Sequence, residues 1–252
     1  VYKILANLPF PTNQVYYLPS CHSTNEIAQN LLPAGVKEGT VVITDAQTAG
    51  KGQAGNQWHS APGQNLTFSL ILQPTFLKPN EQFLLTVAVS LGIKDMLEDI
   101  LPGEVKIKWP NDIYFRDRKI AGILIENTLR GSSFVVAVVG IGLNVNQVEF
   151  PAALKAVSVK QATGRHSDLN KLLNNLLVHI AHNYAMLKER NRENWRQRYH
   201  QSMLGFGEER QFRAAGEEFT GVIRGTDEFG RLLLERGKQT LRLQHKEVAM
   251  LG

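Results

Sequence analysis

Four short stretches of this chain place cations, amides and glycines at spacings suited to holding and activating an anion. The first is Gly50-Lys51-Gly52-Gln53-Ala54-Gly55-Asn56-Gln57-Trp58. Its glycines permit positive φ and let backbone N–H groups approach an anion closely, and its lysine adds charge. It lacks the Gly-Lys-Ser/Thr ending of a P-loop and fits no dinucleotide fingerprint, so a ligand-free glycine hairpin is an equal reading. Trp58 suits a core anchor or a wall for a flat ligand. The second stretch is Lys106-Ile107-Lys108-Trp109-Pro110-Asn111-Asp112. Along a strand, Lys106 and Lys108 take one side and Ile107 and Trp109 the other, until Pro110 ends the ladder. A lysine for phosphate oxygens beside a carboxylate for Mg²⁺ is the minimum for nucleotide chemistry; an exposed strand ending in a turn has the same pattern. In the third, Lys119 enters an apolar strand where Ala121-Gly122 leave room beside the backbone, or where Gly122 marks a bulge. The fourth is Gly140-Ile141-Gly142-Leu143-Asn144-Val145-Asn146, in which Asn144 suits a purine or ribose, or caps its own turn.

These residues need a scaffold, and the hydrophobic pattern outlines one. Ser23-Thr24-Asn25-Glu26 reads as a capping box with Ser23 as N-cap, opening a short helix to about Leu32. Residues 39–44 and 66–72 are β-branched and apolar, as strands are; the polar, glycine-rich 46–64 between them is long for an idle connection. A helix from Asn80 or Glu81 to about Leu101 buries Leu84, Val87, Ala88, Leu91 and Leu97. Strands follow at 105–109, 120–126 and 134–140, with turns at Asp117-Arg118 and Arg130-Gly131. After an irregular 143–164, a 3.6-residue period from Leu169 to Leu187 predicts a long helix, and a second helical stretch covers 192–203. From Gly205, short alternating segments at 211–214, 219–226, 232–235 and 240–243 predict a small β-barrel. The expected boundary separates residues 1–204 from 205–252.

The 252 residues carry 28 Lys plus Arg against 23 Asp plus Glu, with 43% hydrophobic and 20% charged. Such a chain can bury a core, which excludes a disordered tail or a fibre. Its net charge of +5 does not amount to a nucleic-acid stripe. Residues 1–100 are net acidic, and the densest basic stretch, Lys188 to Arg198, is interrupted by Glu189 and Glu193 as on a solvated helix face. No apolar run approaches the ~20 residues of a membrane span, and no export leader is visible, so a cytoplasmic location without a membrane partner is expected. Cys21 stands alone, which excludes an intrachain disulfide and a cysteine zinc cluster.

In this order, with Ser23-Thr24-Asn25 upstream, the four stretches resemble the biotin–protein ligase family. The similarity covers residues 23–29, 44–60, 105–126 and 138–146, and more weakly the helix at 168–188 and the terminal barrel. It implies an α/β (α+β) fold: a class II synthetase-like catalytic domain with a mixed, largely antiparallel sheet flanked by helices, and a small C-terminal Src-homology-3-like β-barrel. It implies two reactions. Biotin and MgATP give biotinyl-5′-AMP and pyrophosphate. A lysine amine on the biotin carboxyl carrier protein of acetyl-CoA carboxylase, or a related carboxylase, then attacks that mixed anhydride and AMP leaves.

Roles carry over by position. Ser23, Thr24, Asn25 and Gln47 match the family residues around the ureido end of biotin. Lys51, Gly52 and Gln53 lie in the loop that closes over biotin and the adenylate phosphate, and Trp58 and Gly122 belong to the biotin side. Lys119 matches the lysine that contacts the biotin carboxyl and the phosphate. Lys108, Asn111 and Asp112 match the nucleotide and metal end, with Asp112 toward Mg²⁺, and Asn144 the adenosine side. The chemistry agrees: joining a carboxylate to an α-phosphate needs cations that cancel repulsion, and Lys51, Lys108 and Lys119 are the expected catalytic ones. Lys51, Gln53 and Asn56 stand where family loops commonly have arginines, so either adenylate retention or loop ordering is expected to be weaker, or other residues compensate. Only 22 residues precede Ser23, so the helix-turn-helix of repressor members, and DNA binding with it, is not expected. Family members often pair catalytic sheets edge to edge, which allows a homodimer. A lipoate/octanoate–protein ligase is the nearest alternative. A nucleic-acid-binding module would need exposed barrel aromatics, whereas Phe212, Phe219 and Phe229 read as barrel core.

Overall fold

Period-2 alternation divides the apolar strand residues between two faces of one sheet, and helices cover both. The computed structural model describes residues 2–3, 8, 10–101, 105–131, 133–189 and 192–251. In chain order its first elements are β1 (Val15–Cys21), α1 (Thr24–Leu31), β2 (Val41–Gln47), β3 (Leu66–Leu72) and α2 (Phe83–Ile100). Then come β4 (Val105–Lys108), β5 (Asp112–Phe115), β6 (Arg118–Arg130), β7 (Ser133–Leu143), α3 (Val159–Thr163), α4 (Leu169–Lys188) and α5 (Arg192–Ser202). The last five are β8 (Glu209–Ala214), β9 (Glu217–Thr226), β10 (Leu232–Arg236), β11 (Gln239–Leu243) and β12 (Val248–Met250).

Seven strands pair in the order β1-β2-β3-β7-β6-β5-β4. β1 and β2 run parallel and the other ladders are antiparallel, giving the mixed sheet that the resemblance implied. Val41, Ile43, Leu70, Val139 and Ile141 join the large core with α2 and α4, while Val42, Ile71 and Val138 face Ala28 of α1. β3 is buried along its whole length, which is why its sequence is an apolar run rather than an alternation. The five expected core positions of α2 are buried, but the helix begins at Phe83, because Pro79–Glu81 form a separate 3₁₀ turn. α4 packs against α2 at Gly92, where a Cβ would lie 2.8 Å from the Cα of Ile180. A side chain there would wedge the two helices apart.

Four elements escaped the sequence reading, the short β12 among them. β1 carries Pro19 near its end, which weakens its strand signature. β5 has only four residues. α3 sits inside the stretch read as irregular; its signal was Ser158, whose hydroxyl accepts the N–H of Gln161 at 3.1 Å.

β8 to β12 form a second sheet, antiparallel throughout, in the order β11-β10-β9-β8-β12. Phe212 and Phe219 are buried against each other within it, as expected of core residues. Phe229 is not core: it is 52% exposed. The Asp227 carboxylate accepts the N–H groups of both Phe229 and Arg231, fixing a tight turn that turns the Phe229 ring outward beneath Arg231. The second sheet is tied to the first at β4. Trp109 Nε1 donates to the Gly230 carbonyl at 2.9 Å, and the Leu204 N–H to that of Ile107 at 2.8 Å. Among the described residues no helix is long and apolar enough to cross a membrane.

Candidate active site

The floor of the main cleft is made of glycine. Gly122 of β6 lies directly opposite Gly142 of β7, and Gly140 lies opposite Leu124. With no side chains there, the Trp58 indole settles onto the sheet: a Cβ on Gly142 would sit 2.2 Å from Trp58 Cε2, and one on Gly122 3.2 Å from Trp58 Cζ3. Trp58 is delivered by a short hairpin, in which the Gly52 N–H bonds the Asn56 carbonyl at 2.7 Å and the Trp58 N–H the Gly50 carbonyl at 2.9 Å. Trp58 Nε1 and Gln53 Oε1 are buried there with no hydrogen-bond partner. Two buried polar atoms left unpaired beside one cleft mark a place built for a polar ligand.

One end of the cleft is rich in neutral amides and hydroxyls. Ser23 is the N-cap of α1 by backbone conformation, but its side chain makes no capping hydrogen bond and lines the cleft. The expected capping box is therefore not formed. The Thr24 N–H donates instead to Gln47 Oε1 at 2.8 Å, with the Thr24 hydroxyl 3.2 Å from the same oxygen. Asn25 Nδ2 donates to Glu126 Oε2 at 2.7 Å, while its Oδ1 lies 2.6 Å from Ser69 Oγ. Asn25 presses so closely on β7 that a Cβ on Gly140 would stand 2.3 Å from its Oδ1. Ser23, Thr24 and Asn25 are 2–3% exposed, so these groups are fixed by packing as well as by hydrogen bonds.

The other end is cationic. Lys119 Nζ is 2.6 Å from Asp112 Oδ1 and 5.6 Å from the centre of the Trp58 ring. Asn111 is held by Ile123, whose carbonyl accepts its side chain and whose N–H donates to its carbonyl. Lys51, on the hairpin, reaches Glu26 of α1 at 3.9 Å. Burial holds the Lys108 ammonium below its ordinary pKa, with Lys155 and Lys119 adding to the effect and Asp112 opposing it. Burial, reinforced by Asp112, pushes the neighbouring Tyr114 phenol up to about 12.

The structure thus brings Ser23, Thr24, Asn25, Gln47, Lys51, Gly52, Gln53, Trp58, Asn111, Asp112, Lys119 and Gly122 around one cleft. Lys108 and Asn144 lie outside its lining. Lys108 faces the adjoining cavity beneath the second sheet, over the Tyr114 ring. Asn144 is 3% exposed, and its Nδ2 is taken by the Val157 carbonyl at 3.1 Å, with that of Lys119 at 3.4 Å. It therefore braces the start of β6 against residues 155–157. Replacing Asn144 with alanine is expected to cost about 1–2 kcal/mol by orphaning a buried carbonyl, read as a lower urea midpoint at unchanged slope. An unchanged midpoint would contradict the bracing role. Two groups that line the cleft were missed. Gly140 and Gly142 were in view as a Gly-x-Gly strand pattern, which puts both on one face. His245, from the turn before β12, had no sequence signal at all.

The main cleft on this mixed sheet is thus lined by neutral amides and hydroxyls together with the cations Lys51 and Lys119. A family model described as the Biotin/lipoate A/B protein ligase family matches residues 17–144. The bifunctional ligase/repressor BirA of Bacillus subtilis is 31% identical over 90% of this chain and 71% of its own length. A biotin–[acetyl-CoA-carboxylase] ligase of Mycobacterium tuberculosis is 27% identical over 85% of this chain and 80% of its own. Among solved structures, the biotin protein ligase from Aquifex aeolicus in complex with biotin and ATP superimposes with a TM-score of 0.78. It is 29% identical, and the match covers 95% of this chain and 99% of that one. The chain belongs to the biotin/lipoate A/B protein ligase family.

Proposed function

We propose that this chain is an AMP-forming biotin–protein ligase, which activates biotin with ATP as biotinyl-5′-AMP and transfers it to a lysine of a biotin carboxyl carrier domain. The observation that carries the reading is the polarity of the main cleft. Ureido nitrogens and oxygen need directional neutral partners, and the Ser23, Thr24, Asn25 and Gln47 end supplies them. The thiophene ring and valeryl chain need flat or apolar walls, which Trp58 on its glycine floor and Ile123 supply. The biotin carboxylate then points toward Lys119 and Lys51, where an α-phosphate must also sit. Lys119 cancels repulsion between the two anions, so that an oxygen of the carboxylate can attack phosphorus in line as pyrophosphate leaves. The Gly50–Trp58 hairpin shields the anhydride from water. The lipoyl branch of the same family has the same adenylate chemistry, but a dithiolane has no ureido group to occupy four amide and hydroxyl residues.

Mg²⁺ fits this site as a companion of the nucleotide. No group of three or more His, Cys, Asp or Glu residues able to hold a metal occurs among the described residues. Asp112 offers a single carboxylate, as befits an ion that draws its other ligands from phosphates and water. Bound there, it would neutralise phosphate charge. Residues 1–204 would form the catalytic domain and 205–252 the small barrel domain, a division supported by the second sheet drawing all its strands from 209–250. A homodimer through the catalytic sheet is supported by β6, which pairs with β5 only over Arg118–Gly122 and extends to Arg130. The reducing cytoplasm suits a chain with one cysteine and carboxylases as acceptors.

The direct test is covalent labelling of a carrier domain lysine in the presence of ATP, with biotin, lipoate and octanoate competing. Biotin is expected to dominate; preference for either fatty acid would overturn the reading. The hairpin yields a second expectation. Gln53 contributes no charge where an arginine could grip the phosphate with two N–H groups. Replacing Gln53 with arginine is expected to slow release of biotinyl-5′-AMP by roughly tenfold. Retention equal to that of the unaltered chain, measured by trapping free intermediate without acceptor, would contradict it.

A further inference from the structure

We infer that His245, carried by the second sheet, receives the acceptor lysine and hydrogen-bonds its amine during transfer. This rests on the ligase reading above. His245 lines the cleft beside Asp112 and Lys119, although it lies 126 residues from Lys119 in the chain. It does not hang from a loose terminus. The Gln244 N–H donates to Glu247 Oε2 at 2.7 Å, the Glu247 N–H donates to the Gln244 carbonyl at 3.1 Å, and His245 bridges to Val248. Its ring meets the edge of Trp109 at 6.2 Å between centroids, and Trp109 is itself bonded to Gly230. The turn is thus framed from both sheets, with the imidazole exposed at the mouth of the cleft.

The charge pattern says what this corner can take. Lys51 and Lys119 favour the anionic reactants and repel an approaching ammonium. His245, exposed at the rim beyond the Lys119–Asp112 pair, is where the acceptor side chain can enter. A neutral imidazole keeps one ring nitrogen as a hydrogen-bond acceptor. Its ring nitrogens make no hydrogen bond among the described residues. An acceptor amine bonded there would face the anhydride carbonyl from the open side. The lysine ammonium first gives one proton to solvent; its free amine nitrogen then attacks the acyl carbon, the bond to the phosphate oxygen breaks, AMP departs, and the second proton passes to solvent.

Single-turnover kinetics on the full chain separate the two half-reactions. His245→Ala is expected to slow transfer from preformed biotinyl-5′-AMP to a carrier domain by roughly 10- to 100-fold. Adenylate formation from biotin and ATP should keep its rate, and hydroxylamine, which needs no docking, should trap the adenylate equally fast. His245→Gln keeps an acceptor atom and should recover most of the transfer rate. An equal loss in both half-reactions, no loss in transfer, or a glutamine variant as slow as alanine would overturn the assignment. A wild-type chain that forms no adenylate would overturn the ligase reading itself, and this inference with it.

Discussion

Replacing Lys119 with alanine lowers the rate of adenylate formation by roughly 10²- to 10³-fold. The geometry explains why so much is asked of one ammonium. In the free cleft Lys119 is held 2.6 Å from Asp112 and above the Trp58 ring, at the junction between the amide-rich end and the nucleotide end. Without it, the carboxylate of the acid, the α-phosphate and Asp112 would share one half-buried space without the ammonium that stands beside Asp112. Lys51 cannot take over, because it is on the hairpin side and paired loosely with Glu26. The loss should fall on the chemical step more than on biotin affinity, since the ureido contacts are at the far end. Pre-steady-state pyrophosphate release, measured beside biotin affinity, checks both parts. Near-normal release would remove Lys119 from the mechanism.

Replacing Gly142 with alanine weakens biotin binding by roughly 10- to 100-fold. The new methyl would stand 2.2 Å from Trp58 Cε2, far inside contact distance, where the indole now lies over Gly142 and Gly122 together. Trp58 must lift, taking with it the hairpin whose Trp58 N–H is bonded to Gly50. Because the glycine pair lies on the cleft face rather than in the core, melting temperature should fall little while calorimetric affinity collapses. Wild-type affinity in this variant would mean that the indole is not the wall of the acid site.

The parts of this site that were legible in the sequence are those where residue type alone limits the chemistry. A lysine entering an apolar strand, glycines around a lysine, and Asn-Asp after a proline each have few uses, and their order in the chain narrowed them further. What depends on pairing was not legible. That Gly122 faces Gly142 follows from the β6–β7 register, which no local pattern fixes. Asn144 has the right type for a nucleoside contact; the β7 exit bonds its Nδ2 to the Val157 carbonyl and leaves its buried Oδ1 without a partner. Ser23 has the right place for a cap, but at the N-terminus of α1 its side chain turns to the cleft instead. His245 reaches the site only because the second sheet docks on β4 through Trp109 and Gly230, a contact spanning 121 residues. Phe229 was misassigned for a similar reason: its turn is set by Asp227, and the period of the flanking strands does not extend through it.

All these expectations depend on one cleft bringing two acids together. The measurement that addresses this directly is mass spectrometry of the nucleotide products when the purified chain is given biotin, ATP and Mg²⁺ without any acceptor. Biotinyl-5′-AMP and pyrophosphate in equal amounts are the predicted result. ATP left intact, or hydrolysed to ADP with no acyl-adenylate, would contradict the account.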